Sequence, residues 1–304
     1  MMVAPFPLIQ VSGPPHDRGQ QYGRQAAARI RKGIAHYSAQ LEQLNLDRAG
    51  VASLVRTYTP VIEAFDPTHL EEMRGIASGA DVELADIVLL NARTEILKLA
   101  EKPELRATLA DGCTAVAVMP DATTDNILIH AQNWDWKAEC AETAVVLHIR
   151  RNNGPDILTF TEAGGLARSG MNSAGIAITA NYLQSDRDYR DIGVPLALIR
   201  RKVLQQEHLA LAMQAVHATQ KSAANNMMVS GSRADGAAIA VDFECAPDEA
   251  FQVHPERGLL VHANHFVSAV ALAKLRDTGL ASSPCSIYRD VRVRDLLRLQ
   301  VGAI

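Results

Sequence analysis

The chain changes its hydrophobic period at residue 113, and that change limits the folds open to it. Before it, apolar residues recur at helical spacing. Tyr22, Ala26, Ile30 and Ile34 mark a helix from Asp17 to about Leu44, and similar patterns cover 49–65, 68–79 and 84–99. Only 6–11 reads as a strand there, closed by Gly13-Pro14-Pro15. After residue 113, short β-branched runs follow at 114–119, 127–133, 144–150, 156–161, 175–182, 227–231, 236–244 and 258–265. Turn residues separate them, as in Asn152-Asn153-Gly154-Pro155 and Ala234-Asp235-Gly236. Helical stretches at about 195–205, 208–219 and 285–300 complete the pattern. Strands in two groups with helices between and after them predict an α+β fold of two stacked sheets with helices outside. A mostly helical segment, 1–112, precedes a β-rich segment, 113–304.

A chain of 304 residues is long enough to bury a sizeable core. Its 30 Lys and Arg against 34 Asp and Glu leave a formal charge of −4, so no overall field recruits nucleic acid or an acidic membrane. The local clusters Arg29-Ile30-Arg31-Lys32 and Arg200-Arg201-Lys202 fall in helical segments and are expected on solvated faces. No run reaches the apolar length of a membrane span, and Met1-Met2-Val3-Ala4-Pro5 lacks the features of a secretory signal. A cytoplasmic protein without membrane or nucleic-acid partners is therefore expected. The cysteines at 113, 140, 245 and 285 form no C-x-x-C pair, which argues against a zinc knuckle or a thioredoxin motif.

Three short clusters carry chemistry. In Asp111-Gly112-Cys113-Thr114 a polar loop meets the apolar run Ala115-Val116-Ala117-Val118-Met119. A lone Cys beside a Gly is ordinarily a buried, inert residue. At this junction, however, the thiol could attack the Gly112 carbonyl, cut the chain and make Cys113 a new N-terminus. One residue would then hold a nucleophile and, on its own nitrogen, a base. Gly112, lacking a Cβ, tolerates a strained backbone there. In Gln132-Asn133-Trp134-Asp135-Trp136 a strand would put Asn133 and Asp135 on one face and both tryptophans on the other. Alone, this cluster fits an Asp closing a turn beside two aromatics. In His262-Ala263-Asn264-His265-Phe266, a strand would place His262 and Asn264 on one face. The Asn264 amide suits an oxyanion donor, and equally a satisfied strand-end Asn. The H-x-x-H pair lacks the surroundings of a zinc site. Arg289 and Arg292 lie three apart on the last helix, each a surface charge or a partner for a buried carboxylate. The glycines at 164, 165, 170 and 175 form no nucleotide-cradling loop, and no G-x-S-x-G elbow is present.

Taken in order, these segments resemble the penicillin acyltransferase family of N-terminal-nucleophile hydrolases, typified by acyl-CoA:6-aminopenicillanic acid acyltransferase. The likeness runs from Gly13, Gly19 and Gly23 through Leu90-Asn91-Ala92-Arg93-Thr94-Glu95, Asp111-Gly112-Cys113-Thr114 and Gln132-Asn133-Trp134-Asp135. It continues through Thr161-Glu162-Ala163-Gly164, Gly170-Met171-Asn172-Ser173-Ala174-Gly175, Ala180-Asn181 and Ala263-Asn264-His265-Phe266. The resemblance implies a four-layer αββα fold and a precursor that cleaves itself between Gly112 and Cys113. Fragments 1–112 and 113–304 would then stay together. Cys113 matches the nucleophile, Asp135 the carboxylate near it and Asn264 an oxyanion donor. Asn181 looks like the second such Asn of the related bile-salt and penicillin V hydrolases. Arg289 resembles the family's active-site arginine, although Tyr288 stands where Ser is typical. Family members also continue some tens of residues beyond a helix like 285–300, whereas this chain stops at Ile304.

The expected activity is hydrolysis of a linear amide through a thioester acyl-enzyme, with no metal or redox cofactor. Substrates would be small-molecule acyl amides or acyl thioesters, and coenzyme A would enter only as an acyl donor. The alternatives are an acyl-CoA-dependent N-acyltransferase and a non-catalytic scaffold. A papain-like protease ranks last, because its cysteine opens a helix whereas Cys113 precedes a strand-like run.

Overall fold

The computed structural model describes residues 5–100, 112–233 and 236–304. Its helices are α1 (Pro15–Gln43), α2 (Arg48–Phe65), α3 (Pro67–Ala80), α4 (Leu84–Asn91), α5 (Arg93–Ala100), α6 (Leu196–Leu204), α7 (Leu209–Ala218), α8 (Ala269–Leu272) and α9 (Cys285–Arg298). Its strands are β1 (Leu8–Ser12), β2 (Gly112–Val118), β3 (Ile129–Asp135), β4 (Ala144–Arg150), β5 (Ile157–Glu162), β6 (Ser169–Asn172), β7 (Ile176–Tyr182), β8 (Asn225–Ser232), β9 (Ala238–Cys245), β10 (Ala250–Val253) and β11 (Leu259–His262). Two compact units interleave along the chain. One takes 5–100, 137–173 and 194–205; the other takes 112–136, 174–193, 206–233 and 236–304. No described helix is long and apolar enough to cross a membrane.

In the first unit, β1 runs parallel to β4, and β5 and β6 extend that order antiparallel. The helices are built around a close α1–α3 crossing that depends on four glycines. A Cβ on Gly19 would lie 2.2 Å from the Glu72 carbonyl oxygen, and one on Gly23 would lie 2.3 Å from that of Ile76. From the other side, a Cβ on Gly75 would stand 2.1 Å from the His16 oxygen and one on Gly79 2.2 Å from the Gln20 oxygen. The glycines sit four apart on each helix, so backbone meets backbone along a continuous seam. The buried stripe of α1 then runs through Tyr22, Ala26, Ile30, Gly33, Tyr37 and Leu41. Ile34 is only half-buried, because a period of 3.6 drifts away from a strict spacing of four.

Two expectations fail in this unit. Arg200-Arg201-Lys202 is not a solvated face. Arg201 is fully buried, with Nη1 and Nη2 3.2 and 2.7 Å from the two Glu72 oxygens, while Arg18 reaches the same carboxylate at 2.6 Å. Arg200 is also buried, and Lys202 pairs with Asp66 at 2.8 Å. Arg201 leaves water here because Glu72 gives it a directed partner. The stretch 84–99 is two helices rather than one, broken at Ala92. The Asn91 amide nitrogen bonds the Ile87 and Gly164 carbonyls, and its oxygen accepts from the Leu166 amide, all at 2.9 Å.

The second unit contains four layers. β7, β8, β9 and β10 form an antiparallel array, and β11, β2 and β3 form a second. Ala115, Ala117 and Leu260 of the small sheet pack on Met228 and Ala240 of the large one. Small residues there let the sheets approach. On the far side of the small sheet, α9 contacts β11 and β2, and Val118 and Leu259 gather Leu297 and Ile304. On the far side of the large sheet, α7 covers β8 and β9. The layer order is thus αββα, the α+β arrangement expected. The strands β6 and β10 and the one-turn helix α8 have no counterpart in the sequence pattern, each being only four residues long. Asp111 and the Ala234-Asp235 part of the expected turn lie outside the described residues.

The glycine seam makes a measurable prediction. Gly75→Ala should lower the unfolding free energy by about 2 kcal/mol or more, because carbonyl backbone cannot move aside. Gly33→Ala, whose nearest neighbour would be the Leu90 side chain at 3.6 Å, should be neutral or stabilise by up to about 1 kcal/mol. Urea unfolding of both variants checks the contrast.

Candidate active site

Cys113 is the second residue of β2 and is fully buried. The strand begins two residues earlier than expected, so the Gly112–Cys113 bond lies inside the ladder. Gly112 pairs with Asp135 of β3, and Cys113 pairs with Trp134. A Cβ on Gly112 would stand 3.3 Å from the Asp135 Cβ and 3.4 Å from its Oδ2. What the position demands of Gly112 is therefore space beside a carboxylate. β3 alternates as expected, with Asn133 and Asp135 exposed and Trp134 half-buried. Strand pairing puts Asp135 beside the Gly112 end of the bond, while the Cys113 side chain shares its sheet face with Trp134.

Asn264 links three elements at this bond. Its Oδ1 accepts from the Cys113 amide at 2.7 Å and from Arg289 Nη2 at 2.9 Å, and its Nδ2 donates to the Tyr182 carbonyl at 2.9 Å. Arg289, on α9, also donates to the Cys113 carbonyl and, at 2.9 Å, to Thr114 Oγ1. Arg292, three residues on, is exposed. The strand-based placement of Asn264 does not hold, because β11 ends at His262. A turn sets its direction instead. Ser286 Oγ, on α9, lies 2.7 Å from both the Asn264 amide and His265 Nδ1. Burial lowers the His265 pKa, helped by the nearby His262 charge.

Asn181, at the end of β7, is fully buried. Its Nδ2 donates to the His262 and Ala263 carbonyls, both at 3.0 Å, so both amide hydrogens brace the backbone that carries Asn264. Its Oδ1 accepts from Gln132 Nε2 at 2.8 Å, and its amide donates to Asn226 Oδ1 at 2.6 Å. Asn226 Nδ2 in turn bonds Asp242 Oδ2 at 3.0 Å.

Behind this brace His262 meets two acidic residues of β9 that the sequence did not single out. His262, Asp242 and Glu244 are all fully buried. His262 Nε2 lies 2.7 Å from Glu244 Oε1 and 3.6 Å from Asp242 Oδ2. Burial alone would lower the His262 pKa, but the two carboxylates outweigh it and raise the value to about 9. Burial raises that of Asp242 to about 6, against the pull of His262. Asp242 and Glu244 alternate with apolar residues in β9, a pattern that in sequence reads as an ordinary half-exposed strand. Among the described residues no group of three His, Cys, Asp or Glu is arranged to hold a metal ion.

Residues 122–293 match the family pattern of acyl-coenzyme A:6-aminopenicillanic acid acyl-transferase. The chain is also 30% identical over 265 residues to the acyl-coenzyme A:6-aminopenicillanic-acid-acyltransferase 40 kDa form of Emericella nidulans, covering 84% of this chain and 68% of that protein. The chain belongs to this family. Two solved variants of conjugated bile acid hydrolase from Clostridium perfringens are similar at 14% and 13% identity, with TM-scores of 0.35 and 0.34. Each match covers 52% of this chain, and 55% and 54% respectively of those chains, so this chain spans just over half their length. The glycines of α1 and Leu90–Glu95, which carried the resemblance in the first segment, belong to the first unit. They build the helical seam and the Asn91 and Arg93 anchors of the first unit. Arg93 Nε bonds the buried Glu162 at 2.7 Å, and Tyr37 bonds the same carboxylate at 2.6 Å.

The buried imidazole sets a pH dependence of stability. Its folded pKa is raised, so its contribution is complete below about 6.5 and is lost as pH rises through about 9. The unfolding free energy should fall by up to roughly 3 kcal/mol between pH 7 and 9.5, and Glu244→Gln should flatten that slope. Denaturant titrations at four or five pH values check both.

Proposed function

We propose that this protein cleaves itself between Gly112 and Cys113 and then acts as an N-terminal cysteine hydrolase on linear amides. The observation that carries this is the hold on Cys113. Its amide rests on Asn264 Oδ1 and its carbonyl on Arg289, so the nitrogen that cleavage would free already has a partner. In the first step Cys113 Sγ bonds the Gly112 carbonyl carbon, the C–N bond breaks, and the thiol proton passes to the departing nitrogen. Water then opens the thioester, its hydroxyl joining Gly112 and its proton returning to sulfur. Fragments 1–112 and 113–304 remain associated.

In turnover, the α-amine of Cys113, with an ordinary pKa of about 7.7–8.0, takes the thiol proton. The sulfur attacks the substrate carbonyl to form a thioester acyl-enzyme, and the amine returns the proton to the leaving nitrogen. Asn264 Nδ2 has a second hydrogen beyond the one given to Tyr182, and it serves the oxyanion. Asn181 holds the Ala263–Asn264 backbone in place, since both its amide hydrogens are committed to carbonyls. Asp135, beside Gly112, restrains the ammonium form of the new terminus. Arg289 fixes Asn264 Oδ1 and the Cys113 carbonyl together. The acyl group leaves to water; no metal or redox cofactor takes part in these steps.

The name of the fungal relative favours a second reading, in which an amine receives an acyl group delivered as a coenzyme A thioester. Incubating processed protein with an N-acyl amide alone, and with an acyl thioester plus an amine, separates the two by the products seen in mass spectrometry.

Purified wild-type protein should give two bands on a denaturing gel, the larger starting Cys-Thr-Ala-Val. Cys113→Ala should remain one chain without turnover. A single wild-type chain that still hydrolyses amides would sink the proposal. Asn264→Ala should lower kcat by about 10²–10³. To separate turnover from processing, it should be tested with the two fragments co-expressed and Cys113 already N-terminal.

A further inference from the structure

Both ring nitrogens of His262 face acceptors. Nε2 points at Glu244 Oε1, 2.7 Å away, and Nδ1 lies 3.0 Å from the Ala263 carbonyl oxygen. Glu244 is held as an acceptor on both oxygens, because Oε1 also accepts from the Val267 amide at 2.6 Å and Oε2 from the Ser268 amide at 3.0 Å. A carbonyl and a carboxylate cannot donate, so each nitrogen must carry its own hydrogen. This pattern of acceptors, beside two buried carboxyl groups, favours the imidazolium form of the ring.

The Ala263 oxygen is shared. It accepts from His262 Nδ1 and from Asn181 Nδ2, and the next residue is Asn264, whose Oδ1 holds the Cys113 amide. We propose that His262 is the positioning residue of this site: as an imidazolium it fixes the Ala263–Asn264 peptide, and its deprotonation releases Asn181 and Asn264 together. This rests on Cys113 and Asn264 being the reacting centre. Loss of the Nδ1 hydrogen would set a ring lone pair against the Ala263 oxygen at 3.0 Å. Loss of the Nε2 hydrogen would set one against Glu244. Either way an attraction becomes a repulsion at a buried position, and the only relief is to move the peptide or the ring.

Among the described residues, β9, α9 and the turn after β11 each set charged or titratable groups near the ring. β9 contributes Asp242 and Glu244, and the Asp242 Oδ1 atom is buried with no hydrogen-bond partner, which leaves that carboxylate dependent on the neighbouring positive charge. From α9, Arg294 bonds the Val261 carbonyl at 2.6 Å and is itself paired with Asp290 at 2.7 Å. From the turn, the His265 ring lies 6.4 Å away, centre to centre. Two buried carboxylates in contact outweigh one arginine already paired elsewhere, so the proton stays on well above neutral pH.

The coupling can be read without activity. In the full-length Cys113→Ala protein, nitrogen-detected NMR should show both His262 ring nitrogens protonated at pH 7, with the signal assigned by comparison with His262→Gln. As pH rises, the side-chain amide signals of Asn181 and Asn264 should move with the same midpoint as His262. Glu244→Gln should lower that midpoint by at least one pH unit. In the processed enzyme, the alkaline limb of kcat should follow the same midpoint and shift in Glu244→Gln, with KM changed less than twofold. A neutral His262 at pH 7, amide signals that ignore its titration, or an alkaline limb that stays put in Glu244→Gln would each overturn the proposal. Failure of the Cys113 mechanism would look different: an uncut, inactive wild-type chain in which the His262 and asparagine signals still titrate together.

Discussion

The hydrogen bond between the Cys113 amide and Asn264 Oδ1 is the contact through which the second unit converges on one peptide bond. It joins β2 to the turn after β11, and Arg289 brings in α9 by bonding both partners. The Tyr182 carbonyl then ties the same asparagine to the end of β7. A side chain with one oxygen and one amide group thus meets three groups from three segments. Such a junction tolerates little displacement, since each bond is directional and the surroundings exclude water.

The supports beneath that junction are polar, which is uncommon so deep in a sheet sandwich. Gln132, Asn181, Asn226, Asp242, Glu244 and His262 are linked by hydrogen bonds across facing strands. A fully apolar core would pack there at lower desolvation cost, but it would not fix the direction of the backbone leading to Asn264. The network spends stability on orientation. The first unit solves a different problem with the opposite means. Its α1–α3 seam has almost no side chain at all, and Glu72 with Arg18 and Arg201 supplies the charged lock beside it.

Much of the element pattern was legible in the sequence because period and turn chemistry are local. The strand over 144–150 has its expected limits, and the helices over 48–65 and 67–80 and the strand over 176–182 differ from theirs by no more than one residue at either end. Misses arose where a tertiary contact overrode local pattern. Asn91 breaks a helix by bonding a distant turn, Arg201 is drawn inside by Glu72, and Asn264 takes its direction from Ser286 rather than from strand alternation. The pairing of His262 with Asp242 and Glu244 was not legible, because acidic residues alternating with apolar ones look alike whether the polar face meets water or another sheet.

The sequence by itself determined the αββα class and the family, and it located Gly112-Cys113, Asp135, Asn181, Asn264 and Arg289 as the residues to examine. These are properties of order, period and motif, carried by residues close together along the chain. Which groups touch, and in what protonation state, was decided only by the tertiary structure. Burial and partner geometry set the charge on His262, the double commitment of the Asn181 amide and the hold of Arg289 on the Cys113 carbonyl. Those quantities depend on atoms brought together from β2, β7, β9, the β11 turn and α9, and no local pattern encodes the distances between them.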